Sequence, residues 1–328
     1  MMQARIAILA LGALLVLCLV PFFGATLIAP GDIFDSASAE SLIFWRLRLP
    51  RSLGAFLAGA GLSLCGLSFQ ALFRNPLATP FTLGISSGAA LGAASYLRLG
   101  AAIGFLGLAG SLLSALAGCF LSMLLVYGIT RARGGFSTAV MLLAGVIINF
   151  FFSSLVMFVQ YMSNSHDAVQ IMRWLMGTLS GLDTGRLWEM AIAVFAGLWI
   201  FAAIATELDL LMAGEEIAAS RGVDVNKIKL RIFITASVVV GVIVSITGPI
   251  GFVGMMIPQI CRLLFGYTHR LLVPASFFMG GGFLALCDLL ARTVLAPAEL
   301  PIGILTAMLG APFFLWTLFR GNRAGELD

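Results

Sequence analysis

Lysine is almost missing from this 328-residue chain, with Lys227 and Lys229 its only two. Neither follows a glycine, so the G-x-x-x-x-G-K-[ST] loop that cradles nucleotide phosphates is absent and the chain does not bind ATP in that manner. Histidine is as scarce: His166 and His269 lie far apart. The five cysteines, Cys18, Cys65, Cys119, Cys261 and Cys287, sit inside apolar runs without metal-ligand spacing. They read as buried small hydrophobes and imply neither disulfides nor a metal. With no Ser/His/Asp constellation either, the chain is expected to be no enzyme and to bind no cofactor of its own. The alternating segments of an outer-membrane barrel are absent too. Basic residues are spread over many loops, so a pI near 9.0 points to no nucleic-acid partner.

What is present is apolar: 60% of residues are hydrophobic, 10% charged, and the mean hydropathy is +1.06. A helix needs about 20 apolar residues to cross a bilayer core, and such runs follow one another along the whole chain. Thirty-seven glycines against four tyrosines suit closely packed transmembrane helices. Ten segments can be drawn: 6–28, 52–74, 83–97, 103–128, 138–161, 187–206, 231–250, 252–266, 272–291 and 302–320. The first is too long for the apolar core of a signal peptide and no cleavage site follows, so it reads as a span. The expectation is an all-α polytopic membrane protein, residues 1–328 forming one transmembrane domain with ten spans.

Placement of positive charge orients it. One side collects Arg5, Arg74, Arg131, Arg133, Arg221, Lys227, Lys229, Arg231, Arg262, Arg270, Arg320 and Arg323. The other holds Arg46, Arg48, Arg51, Arg98, Arg173, Arg186 and Arg292. Twelve against seven puts both termini in the cytoplasm.

Residues 207–231 hold nine of the thirty-four charged side chains. Within them LLMAGEEIAASRGVDV reads as a short helix. Glu215 and Glu216 open it where the helix dipole favours negative charge, Ala218 and Ala219 give it a slim face, and Gly222 suits a left-handed cap. Such a helix is either simply solvated or inserts into a partner's groove.

Three further patterns stand out. In RNPLATPFTLG, Asn75-Pro76 ends the second span; Asn75 and Thr79 are polar either by local chance or because they line a constriction. A 3.6-residue stripe in the fifth span reads Thr138, Leu142, Gly145, Asn149, Ser153, Val156 and Gln160. It serves either helix packing or a water-accessible path, and Gly59, Ser63, Gly66 and Gln70 make a similar row in the second span. Asp288 and Arg292, four apart, are expected to pair on one helix face. The Gly/Pro-rich reversal TGPIGFVGMMIP is tolerable only where protein surrounds it.

The runs RLRLPRSLGAFLAGAGLSLCG, QALFRNPLATPFTLGISSGAALG, LLAGV, GEEIAASRGV, GPIGFVGMMIPQICRL and ELPIGILTAMLGAPFFLW, in this order, resemble the FecCD-type permeases of bacterial importers for iron chelates, haem and cobalamin. The similarity spans residues 40 to 320, and the chain is closely similar to the cobalamin-importing members. It implies a homodimer in the bacterial inner membrane with the substrate path on its axis. Two ATP-binding-cassette ATPases, which bind ATP and Mg, would sit on the cytoplasmic side, and a periplasmic binding protein would deliver substrate. By the same resemblance Gly214, Glu215, Glu216, Ala218, Arg221 and Gly222 match the ATPase-coupling element. Arg48, Arg51 and Arg292 match arginines that dock the binding protein. Asn75, Leu77, Ser137 and Thr138 match the cytoplasmic gate. The stripe residues Gly145, Asn149, Ser153 and Gln160 are expected to line the path. Gln259 departs from the histidine many relatives carry after that proline. The alternative is a secondary transporter driven by an ion gradient, which usually needs a mid-membrane ionisable group; Asp288 comes nearest.

Overall fold

The computed structural model describes residues 2–24, 26–35, 38–99, 107–132 and 137–321, and every regular element among them is helical. In chain order these are α1 (Met2–Leu19), α2 (Ala39–Ile43), α3 (Leu49–Phe73), α4 (Ile85–Leu99), α5 (Gly107–Ala132), α6 (Thr138–Tyr161) and α7 (Ser165–Leu175). There follow α8 (Thr184–Ala203), α9 (Ala205–Ala213), α10 (Glu215–Ser220), α11 (Val225–Thr247), α12 (Val253–Phe265), α13 (His269–Thr293) and α14 (Ile302–Gly321).

Each of the ten expected segments finds a helix, and 138–161 agrees at both ends. Among the described residues seven helical stretches are long and apolar enough to cross a membrane. Helix α4, with 15 residues, and α12, with 13, are shorter than a full crossing, as is the apolar part of α14, Ile302–Thr317. The second segment begins earlier than expected, because α2 and a π turn over Phe44–Arg48 run without a break into α3. Arg133 and Arg323 of the orientation set lie outside the described residues.

Helix α3 is the hub. Its apolar stretch is entirely buried, and it packs on α13, α12, α8 and α11. Small residues make this possible: a Cβ added at Gly59 would strike the Gly280 carbonyl of α13, and one at Gly66 the Gly254 carbonyl of α12. Backbones at that separation exclude side chains from the seam. Gln70 completes the row by donating to Met255 O at 3.2 Å. The row Gly59–Ser63–Gly66–Gln70 is therefore a packing seam, not a second path-lining stripe.

Helix α3 ends where the sequence predicts. Arg74 adopts the left-handed conformation, φ 49°, and Asn75-Pro76 follows. The polar residues there have local work. Asn75 Oδ1 accepts from Leu77 N at 2.9 Å, Thr79 N donates to Thr82 Oγ1 at 3.5 Å, and that hydroxyl donates back to Thr79 O at 2.6 Å. The reversal between α11 and α12 is enclosed by protein as expected: Thr247 and Ile250 are buried, and Thr247 O accepts from Thr178 N at 2.7 Å.

Candidate functional site

At one end of the bundle α9 and α10 form an exposed elbow. Gly214, φ 140°, turns the chain between them, and α10 closes with paired hydrogen bonds, Gly222 N to Ala219 O and Val223 N to Ala218 O, around Gly222 at φ 82°. This is the glycine-capped ending the sequence predicts. Two of the expected coupling residues face inward instead. Ala218 is fully buried, because its side of α10 is the side that packs on the bundle. Glu215 is ion-paired with Lys229 of α11 at 2.6 Å, so its carboxylate is engaged inside the chain. Glu216, Ile217, Ala219 and Arg221 form the exposed face.

Helix α9 is held by a second clamp. Asp209 Oδ1 accepts from His269 N at 2.8 Å and lies 2.6 Å from His269 Nδ1, pinning the elbow to the first turn of α13. Burial pushes the Asp209 carboxyl up; the hydrogen bonds from His269 and the charges of His269 and Arg270 outweigh it and leave the group below its ordinary value. Neither histidine was expected to act as a ligand, and His269 is here a buried structural partner.

A cavity of about 340 Å³ opens beside α6. Asn149, Ser153, Val156 and Gln160 of the stripe, with Met157 beside them, line one wall. Ser86, Ser87 and Ala90 at the start of α4 form another, and Leu175 and Pro249 complete it. No charged side chain lines it among the described residues. Ser86 Oγ is buried without a hydrogen-bond partner. Gly145 belongs to the stripe but not to the cavity: a Cβ there would meet Leu83 and the Thr82 carbonyl, so this glycine serves the close approach of residues 80–83 to α6. Ser86 and Ser87 were missed, although GISSG directly after the left-handed Gly84 places two small hydroxyls on the first turn of a helix. Of the gate residues, Asn75, Leu77 and Ser137 are exposed and Thr138, the first residue of α6, is half-buried.

At the opposite end the three arginines expected to dock a partner are turned inward. Arg48 is 8% exposed and donates to the carbonyls of Pro21, Phe22 and Thr26, its Nη2–Thr26 O distance being 2.7 Å. Arg292 is equally buried, and its Nη2 reaches Val20 O and Ser52 Oγ, each at 3.4 Å. Arg51 bridges Asp288, Nε to Oδ1 2.9 Å, and Glu299, Nη1 to Oε2 2.9 Å. Burial follows from position: the start of α3 and the end of α13 converge, and three guanidiniums there need carbonyls and carboxylates in place of water. The expected Asp288–Arg292 pair is present with Nε to Oδ2 at 3.4 Å. Its third member, Arg51, comes from 237 residues away. At the one departure from the family pattern, Gln259 Oε1 accepts from Arg262 Nη1 at 3.1 Å.

Comparison with known proteins places these features in context. The profile of the FecCD transport family matches residues 11–320. The vitamin B12 import system permease protein BtuC of Citrobacter koseri is 40% identical over 302 residues, 90% of this chain and 88% of that protein. BtuC of Salmonella typhi is 40% identical over 319 residues, 95% and 93% of the two chains. Among solved structures, an inward-facing protein described as an ABC transporter of metal-chelate type superposes with a TM-score of 0.87 at 29% identity, over 97% of this chain and 99% of that one. PsaBC from Streptococcus pneumoniae in complex with Fab, at 16% identity and a TM-score of 0.56, covers 81% and 89% and shares the fold.

Proposed function

Since the chain belongs to the FecCD transport family and is a helical, multi-pass membrane permease, we propose that it is the membrane-spanning subunit of an ATP-driven importer that carries a metal chelate into the bacterial cytoplasm. Ten crossings with both termini cytoplasmic, a homodimer with its path on the dimer axis, two separate ATPase subunits and a periplasmic binding protein complete this reading. The observation that carries it is the pairing of an uncharged polar cavity on the α6 stripe with an exposed, glycine-hinged helix, α10, at one end of the bundle. A cavity needs an element outside the membrane to drive it, and α10 is the element available.

In this mechanism ATP closes the two ATPases, α10 moves with them through Glu216, Ile217 and Arg221, and the α6 helices of the dimer exchange an outward for an inward opening. The drive works only if the nucleotide states contact the two conformations differently. Glu215 acts indirectly, fastening α10 to α11 through Lys229 so that motion of the elbow is passed to the bundle. Gate residues Asn75, Leu77, Ser137 and Thr138 close the cytoplasmic end.

The similarity to vitamin B12 permeases favours cobalamin among cobalamin, haem and iron-siderophore. An uncharged cavity agrees with a cargo rimmed by amides, because a polyanion would enter without a compensating cation.

The deciding experiment is uptake into proteoliposomes holding the chain with its ATPase and binding protein. ATP-dependent accumulation without an ion gradient is the expected result. Accumulation driven by a proton or sodium gradient with no ATPase present would establish the secondary-transporter reading instead.

A further inference from the structure

The charge cluster at the start of α3 and the end of α13 has one member that belongs to neither helix. Glu299, in the connection between α13 and α14, holds Arg51 Nη1 with both carboxylate oxygens, at 3.0 and 2.9 Å. Its side chain is 47% exposed, whereas that of Asp288, on the other side of the same guanidinium, is 1% exposed. The two carboxylates are therefore bound on very different terms. Asp288 lies between Arg51 and Arg292, and its departure would leave the buried Arg292 without an anion and Arg51 with only the exposed Glu299. Glu299 faces water, and an exposed ion pair contributes only about 0–1 kcal/mol. A carboxylate offered from the aqueous side competes with it on equal terms. The other two arginines of this face offer no such exchange, since their guanidiniums are buried against backbone carbonyls and Ser52.

We infer that Glu299 is an intramolecular placeholder on Arg51, displaced by an acidic side chain of the binding protein when that protein docks. The exchange is neutral in charge: one carboxylate leaves the guanidinium as another arrives, so Arg51 is never bare and the buried Asp288–Arg292 pair is undisturbed. It needs no backbone movement, because Leu300 N remains bonded to Ala291 O at 2.9 Å while the Glu299 side chain turns to water. Among the described residues its one other hydrogen bond is a long one from Ser180 Oγ, 3.4 Å. The inference rests on the reading above that this face receives a binding protein. It changes that reading in one respect: the docking arginine is pre-occupied, and the partner's acid must outcompete a built-in rival.

The test is association of the binding protein with the full-length chain, assembled with its ATPase in lipid nanodiscs, at low and high salt. Glu299→Gln keeps the side-chain shape, removes the rival charge and leaves Asp288 on Arg51, so the fold is retained. Removing an exposed pair of this size should tighten association by about two- to fivefold at low salt. Arg51→Gln in the Glu299→Gln background should abolish that gain. If association is salt-sensitive but unchanged or weakened by Glu299→Gln, the placeholder idea fails while electrostatic docking survives. If association of the unaltered protein is indifferent to salt and Arg51→Gln leaves it unchanged, the docking reading itself fails, and the placeholder with it.

Discussion

Lys229 and Glu215 form a 2.6 Å ion pair in which the ammonium is 2% exposed and the carboxylate 36%. The lysine is one of only two in the chain, and it is spent on fixing the short helix α10 to the base of α11. Glu216, the next residue, faces solvent. Two adjacent acids that look equivalent in GEEIAAS thus do different things.

Glu215→Gln is expected to loosen α10 by about 1–3 kcal/mol, because a neutral amide replaces the carboxylate beside a buried ammonium and weakens a charge-assisted hydrogen bond. Hydrogen exchange over residues 214–230 should accelerate, with ATPase stimulation falling as a consequence. Glu216→Gln should leave exchange unchanged and weaken ATPase association directly. Equal exchange profiles for the two variants would show that the Glu215–Lys229 contact has no mechanical role.

How much of this was legible in the sequence depends on the range of the interaction. Helix α6 is legible to the residue because one strong stripe defines it. The Gly222 cap and the Asn75-Pro76 break were equally readable, being decided within a few residues. The amphipathic helix α7 is not legible in that way, because SHDAVQIMRWL is too polar to register as a span. The stripe located Asn149, Ser153 and Gln160 on one face, but a period cannot separate lining from close approach. Gly145 went to the second because residues 80–83 lie against it. The direction of the arginines was illegible for a plainer reason. Their partners, Thr26, Glu299 and Val20, are 22 to 272 residues distant, and no local pattern announces such pairs.

The Asp209–His269 clamp predicts an acid-side dependence. The folded-state carboxyl lies below its ordinary value, so its contribution is present at neutral pH. It is lost as pH falls below the ordinary carboxyl value and on through the lower value at which the folded group protonates. Asp209→Asn lacks this titration. The difference in thermal midpoint between the unaltered protein and Asp209→Asn should therefore narrow as pH is lowered from about 5 to about 3. A gap that stays constant across that range would mean the carboxylate charge adds nothing to the clamp.

The cavity gives the most direct test of the transport reading. Ser153 lies half-buried on the wall formed by α6, between Asn149 and Gln160. Ser153→Phe fills the space without disturbing a hydrogen bond that the fold depends on, so unfolding of the purified protein should change little. Uptake should fall by about tenfold, equivalent to about 1.4 kcal/mol on the transport barrier. Association with the ATPase and with the binding protein should be unaffected, since both docking faces lie at the ends of the bundle. Gly145→Ala, on the same stripe but packed against residues 80–83, should do the reverse: it should lower stability by about 1–3 kcal/mol through overpacking. If Ser153→Phe transports normally, the cargo does not pass this cavity; if Gly145→Ala impairs uptake while unfolding is unchanged, the stripe lines the path beyond the cavity after all.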